Sequence, residues 1–230
     1  MAKLRFFGLA VLLVIFLSVP GILNALGPFS DDFGRADSKD VGNGWEEGED
    51  AGISISIKSG EVLIQGTQDQ DWERNGISRD VGDISSLSFD FLNNDNFNMH
   101  MRIDDTNTGA YIDVYCWPGG PFSHANSVDG GWPGWVEITG SQSLLDEYNT
   151  LGFEKTVAGS YQIMHNGVPI GDPLVNASLA TVNRIQIAPD SAANTVGSVR
   201  IDNVIIDGGA AAVEASDKLS TTWGAIRSSF

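Results

Sequence analysis

The sequence contains a single cysteine, Cys116. That excludes an intrachain disulfide framework, a CxxC zinc site and c-type haem attachment, and leaves Cys116 to read as a buried core thiol. Basic residues are also scarce. Thirteen Lys and Arg stand against thirty Asp and Glu, a formal charge of −17. A field of that sign repels nucleic acid and anionic lipid, so neither is an expected partner. Long apolar runs are confined to Phe6–Val19, which at about 14 residues falls short of the roughly 20 a spanning helix needs. A GxSxG elbow, a P-loop and a dinucleotide fingerprint are all missing, which removes the commonest hydrolase and nucleotide-dependent readings.

What is present begins with a leader. Lys3 and Arg5 precede the apolar run and Pro20-Gly21 breaks it, the pattern of a secretory signal peptide with cleavage expected after Ala25. A leader kept as an anchor is the alternative. Cleavage would take the formal charge to −19 by removing Lys3 and Arg5. The expected organisation is a signal peptide over 1–25, one folded domain over 26–208, and a linker and tail over 209–230. The expected compartment lies outside the cytoplasm: extracellular, cell surface or periplasmic. No stable membrane span is expected after cleavage. The tail places Leu219, Trp223, Ile226 and Phe230 at roughly helical spacing. It reads either as a sorting or docking signal for a partner or as a helix lying on the domain.

Between leader and tail, short alternating runs are separated by Gly, Asn, Asp and Ser clusters, the pattern of an all-β sandwich. Ile53, Ile55 and Ile57 alternate with Ser54, Ser56 and Lys58, and Ser59-Gly60 turns the chain into Glu61–Gln65. Leu87, Phe89 and Phe91 repeat the pattern, and Asn166-Gly167 is a type I′ hairpin signal. Thr181–Ala188 and Val199–Asp207 supply the last strands. In the latter, Val199 and Ile201 share one parity and Val204 and Ile206 the other. A period of two cannot change phase without a slip, so a β-bulge is expected near Asp202-Asn203.

Three stretches carry a family likeness. Phe29–Ser38 (FSDDFGRADS) runs into Val41–Trp45 (VGNGW), the chain closes on Val199–Asp207 (VRIDNVIID), and Asp146–Ile170 forms a Tyr-bearing hairpin around Asn166-Gly167. Together they resemble the opening, penultimate and closing strands of concanavalin A-like, laminin-G-like jelly rolls. The middle third of the domain matches less well. The resemblance implies an antiparallel two-sheet jelly roll in an extracellular sugar-handling role, with ligand on the concave sheet or its rim loops. It also implies a structural calcium ion tying the first and last strands together. Asp31, Asp32 and Asp202 are the carboxylates available for it.

The residues point to one face in particular. In a hairpin formed by Phe97–Asp104 and Gly109–Trp117, one parity is apolar: Phe97, Met99, Met101 and Ile103 against Ala110, Ile112, Val114 and Cys116. The other sets Asn98, His100 and Arg102 against Tyr111, Asp113, Tyr115 and Trp117. Pairing Ile103 with Ala110 would put Arg102 opposite Tyr111, His100 opposite Asp113 and Asn98 opposite Tyr115. Aromatic rings covering C–H patches, with planar polar groups between them, are what recognises a sugar. These seven residues are the expected ligand surface. A plain outer sheet with cross-strand pairs is the structural alternative.

The segment Pro118–Trp135 reads as a long loop carrying Phe122, His124, Trp132 and Trp135, with Trp132 as a rim contact and Trp135 the better candidate to pack back on the sheet. No E-x-D-x-x-E strand motif of the superfamily's glycosidases occurs, and His100 with Asp113 form the one potential oriented base. In a sheet such a pair is more often a structural hydrogen bond. The leading expectation is therefore a secreted, non-catalytic carbohydrate-binding module. The alternatives are a glycoside hydrolase of the 3-keto-glycoside hydrolase type and a cell-surface adhesion or matrix protein.

Overall fold

The computed structural model describes residues 28–72, 74–93 and 95–208. The expected signal peptide and C-terminal tail lie outside them. Among the described residues the architecture is all-β, two antiparallel sheets packed face to face, and no helix is long and apolar enough to cross a membrane.

One sheet runs, in spatial order, β13 (Val168–Val175), β12 (Ser160–His165), β11 (Asn149–Val157), β6 (Ile84–Leu92), β15 (Val196–Gly208), β4 (Glu61–Thr67) and β3 (Ile53–Lys58), with β1 (Phe29–Asp31) paired to β15. The other runs β10 (Val136–Glu137), β9 (Phe122–Ser127), β8 (Tyr111–Cys116), β7 (Asn98–Asp104), β14 (Arg184–Asp190), β5 (Gly76–Asp80) and β2 (Glu46–Gly48). The crossing order 8-7-14-5 matters, because it brings chain segments over 100 residues apart onto one surface.

The expected alternations form the core. Ile53, Ile55 and Ile57 of β3, Leu87, Phe89 and Phe91 of β6, and Phe97, Met99, Met101 and Ile103 at β7 are buried, as are Ala110, Ile112, Val114 and Cys116. Burial pushes the Cys116 thiol up to about 12, so it stays protonated and inert as a core residue. Ser59-Gly60 and Asn166-Gly167 both have positive φ, 57° and 83° in the first turn and 49° and 74° in the second, as hairpin turns with right-handed twist demand. The bulge falls where the parity break requires it. The β15–β6 register shifts between Asp202 and Ile205, Asn203 takes φ 49°, and Val199, Ile201, Val204 and Ile206 all point inward.

Two expectations are corrected. The β7–β8 register is shifted by two residues: Ile103 pairs with Ile112, Arg102 with Asp113 and His100 with Tyr115. The cause is a longer turn, with residues 106–109 looping out between Asp105 and Ala110. Asp105 is buried, accepts the Asn107 backbone N–H at 2.9 Å and Asn107 Nδ2 at 3.1 Å, and its own N–H bonds Ala110 O at 2.9 Å. That Asx turn holds a loop two residues longer than the assumed register allows. Secondly, Pro118–Trp135 is not one long loop, because it contains β9, which pairs with β8 from Tyr111↔Ser127 to Cys116↔Phe122. Phe122 is a core residue, while the buried outward positions are Ser123, Ala125 and Ser127. Such small residues carry little strand propensity, which hides the strand.

Candidate functional site

The outer face of β7, β8 and β14 supports a cleft of about 470 Å³, lined by Trp72, Arg74, Asn98, His100, Tyr115, Trp117, Trp132, Trp135 and Asp190. That volume lies in the range of small-molecule sites. Its floor follows from the ladder. His100 lies opposite Tyr115 on one side and Ala188 on the other, and Asn98 lies opposite Asp190. The Tyr115 ring stacks on the His100 imidazole with centroids 5.3 Å apart and planes 17° apart.

Beneath these rings sits a quartet of ionisable side chains. His100 Nδ1 lies 3.1 Å from Asp113 Oδ1, and its Nε2 lies 2.7 Å from Asp190 Oδ1. Arg74 places Nη2 2.8 Å from Asp113 Oδ2 and Nε 3.5 Å from Asp190 Oδ2. His100, Asp113 and Asp190 are all buried. Burial pulls the His100 pKa down, but Asp113 and Asp190 outweigh it and hold the imidazole above its ordinary value, favouring the protonated form. Burial likewise disfavours the Asp190 carboxylate, yet His100, Arg74 and Asn98 keep it below the usual range. Arg74 precedes β5 and reaches Asp113 three strands away. The small Gly76 and Ala188 lie between, packed so closely that a Cβ on Gly76 would sit 2.5 Å from that of Ala188.

The walls are aromatic. Trp135 packs on Tyr115 at 4.2 Å and on His100 at 5.6 Å, while Trp132 stands edge-on to Trp135 at 5.0 Å. Trp117 meets Tyr115 edge to face at 5.6 Å. Its indole lies across Gly120, where an added Cβ would come within 1.7 Å of the ring. The remaining wall is Trp72, at φ 59°, a left-handed backbone that a bulky side chain rarely adopts. Trp72, Trp117 and Trp132 are 63, 46 and 60 % exposed, so three indoles face solvent around one cleft.

Of the sequence-expected ligand residues, Asn98, His100, Tyr115, Trp117 and Trp132 meet at this cleft. Asp113 lies just below it, enclosed by His100 and Arg74. Arg102 and Tyr111 do not join it. Arg102 bonds Asp104 and lies 3.8 Å over the Tyr111 ring, lining a separate shallow depression with Asp104, Asp105 and Arg184. Tyr111 instead anchors the Trp-bearing loop by donating its hydroxyl to Gly131 O at 3.3 Å. Sequence reasoning missed Trp72, Arg74 and Asp190. Trp72 lies outside the alternating runs, and Asp190 follows a proline, Pro189.

The carboxylates expected to hold calcium are placed otherwise. β1 does pair with β15, through Asp31↔Val204. Asp31, however, receives Arg35 Nη1 at 2.7 Å, Arg35 Nη2 at 3.2 Å, Phe33 N at 2.9 Å, and Asn43 Nδ2 and Trp45 Nε1 at 3.0 Å each. Burial would raise its pKa, yet these donors hold it below the usual value. Asp32 accepts from Gly34 N, and Asp202 from Asn203 N. Burial, then the neighbouring Glu61, Asp90 and Asp32, push the Asp202 pKa up. Among the described residues no three His, Cys, Asp or Glu side chains converge to hold a metal ion. The donor-filled Asp31 carboxylate does not fit a calcium shell, and the Arg35–Asp31 ion pair occupies it instead.

No protein-family model and no curated protein matches the sequence. Solved structures do resemble the fold. A sialidase superposes with a TM-score of 0.61 at 17% identity over 80% of this chain, although the chain spans only 19% of that protein. The Crh5 transglycosylase in complex with NAG gives 0.59 at 9% identity, covering 80% of this chain and 85% of the other. The carbohydrate recognition domain of Emp47p gives 0.55 at 11%, covering 81% and 96%. These neighbours, which include both lectin domains and glycoside-active enzymes, share a two-sheet architecture with this chain, and their low identity speaks for fold alone. In fold, the chain is an antiparallel two-sheet jelly-roll sandwich like these structures, the architecture its opening and closing strands imply.

Proposed function

We propose that this protein is a secreted, non-catalytic carbohydrate-binding module whose ligand lies in the cleft rimmed by Trp72, Trp117 and Trp132. One observation carries the reading. Three exposed indoles converge on a floor of planar polar groups, Asn98, His100 and Arg74. Leaving large rings in water is unfavourable unless they meet something, and a pyranose offers apolar C–H faces with hydroxyls at their edges. The fold neighbours that bind or process glycans support the same class of ligand.

The geometry favours binding over catalysis. A general acid or base must present its proton-bearing atom to the substrate. Both His100 nitrogens face carboxylates, and Asp113 and Asp190 are each held between His100 and Arg74. Among the described residues lining the opening, Asp190 is the one carboxylate, and glycoside hydrolysis requires a pair.

Affinity electrophoresis against a polysaccharide panel tests the reading. Trp117→Ala should weaken binding about 3- to 10-fold, the worth of one stacked ring. Gly120→Ala should do nearly the same with Trp117 intact, because the added methyl occupies the place of the indole. Retained affinity in both variants, or glycan cleavage by the wild type that His100→Asn abolishes, would exclude this function.

A further inference from the structure

Resting on that reading, we propose that the cleft selects uncharged saccharides over acidic or amino sugars. The floor pairs two basic side chains with two carboxylates, Arg74 and His100 against Asp113 and Asp190, with contacts of 2.7 to 3.5 Å. Each carboxylate faces both basic groups and each basic group faces both carboxylates. Among the described lining residues, no further charge of either sign is present.

A uronate or sulfate entering here would need a cation free to pair with it. Arg74 has the largest exposure of the four, but its Nη2 and Nε already face Asp113 and Asp190. The incoming anion would also sit beside Asp190 in a chain whose formal charge is −17. Like charges brought together between apolar rings repel strongly, since little water screens them. An ammonium group fails for the complementary reason. Asp190 is 3 % exposed and engaged with His100, and the ammonium would lose hydration beside the Arg74 guanidinium. Hydroxyls avoid both penalties. They need only planar donors and acceptors at the edges, while Trp72, Trp117 and Trp132 cover the ring faces.

The test is a titration of the full chain with a neutral β-glucan, xylan, galactomannan, polygalacturonate, a carrageenan and chitosan. Salt is varied from about 50 to 500 mM, a range over which exposed charge interactions become screened. The expected result is binding to at least one neutral polymer, about tenfold or more tighter than to any charged one, insensitive to salt and weakened by Trp117→Ala. Tightest binding to polygalacturonate, carrageenan or chitosan, falling as salt rises, would overturn the selectivity while leaving carbohydrate binding intact. Neutral-glycan binding untouched by Trp117→Ala would overturn both the selectivity and the cleft as its site. Binding to none of the six would overturn the carbohydrate reading itself.

Discussion

Asp113→Ala is expected to cost about 3–5 kcal/mol of folding stability, measured by urea denaturation near neutral pH, because it removes one partner from a buried charge network. Asp113 is fully buried and faces His100 at 3.1 Å and Arg74 at 2.8 Å. Deleting it leaves two basic groups sharing Asp190 alone. A loss under about 1 kcal/mol, the range of an exposed ion pair, would mean the quartet is solvated and carries no such weight. The pH dependence supplies an independent check. The folded-state pKa of His100 lies above its unfolded value, through Asp113 and Asp190 and against burial. Its contribution is therefore complete below the unfolded His pKa, near 6.5, and disappears as pH rises through the folded one. Wild-type stability should decline on that alkaline side, and His100→Asn should flatten the decline. Asp190 has the opposite sign: its depressed pKa stabilises above the unfolded carboxylate value and is lost as acid titrates it. Stability that rises steadily from neutral to alkaline pH would contradict a raised His100 pKa.

Trp72→Gly should separate binding from stability. The φ of 59° strains any residue with a Cβ, and glycine removes that strain. The conformation is imposed by a latch between two loops. Trp72 N donates to Ser191 O at 2.7 Å, Asn194 N to Gln68 O at 2.7 Å, Gln68 N to Thr195 O at 2.9 Å and Ala193 N to Asp71 Oδ1 at 2.8 Å. Because the ring is mostly exposed, its removal forfeits little burial, and relief of strain offsets the extra freedom of glycine in the unfolded chain. Thermal stability should stay within about 1 kcal/mol of wild type while glycan affinity falls about 3- to 10-fold. Trp72→Ala should lose the same affinity but melt lower than Trp72→Gly, since alanine keeps the left-handed penalty. Undiminished affinity in Trp72→Gly would remove this ring from the binding surface; a large drop in melting temperature would give it a structural role instead.

These two experiments address groups of unequal legibility. Asn98, His100, Asp113, Tyr115 and Trp117 were readable because the alternation of β7 and β8 sorts them onto one face whatever the exact pairing, and a slip of two residues leaves parity untouched. The pairing itself was not readable. It depended on the Asx turn at Asp105, whose carboxylate is also reached by Thr181 and Asn183 from a distant segment. Arg74 and Asp190 had no local signal at all. Asp190 follows Pro189, which is tolerated inside β14 because the β5 ladder has already ended at Ile77↔Ile187, so no donor is missed on that side.

By itself the sequence determined the features that obey short-range rules. Those are the period-two faces, the positive-φ turns at Ser59-Gly60 and Asn166-Gly167, and the bulge forced by the parity change around Asp202-Asn203. Each rests on the conformation of a few adjacent residues. Only the tertiary structure decided which strands lie side by side. The order β8-β7-β14-β5 carries Arg74 and Asp190 to His100 and Asp113, and the loop latch lifts Trp72 over them. That assembly is set by how the two apolar faces close on each other, a long-range condition that no window of sequence contains.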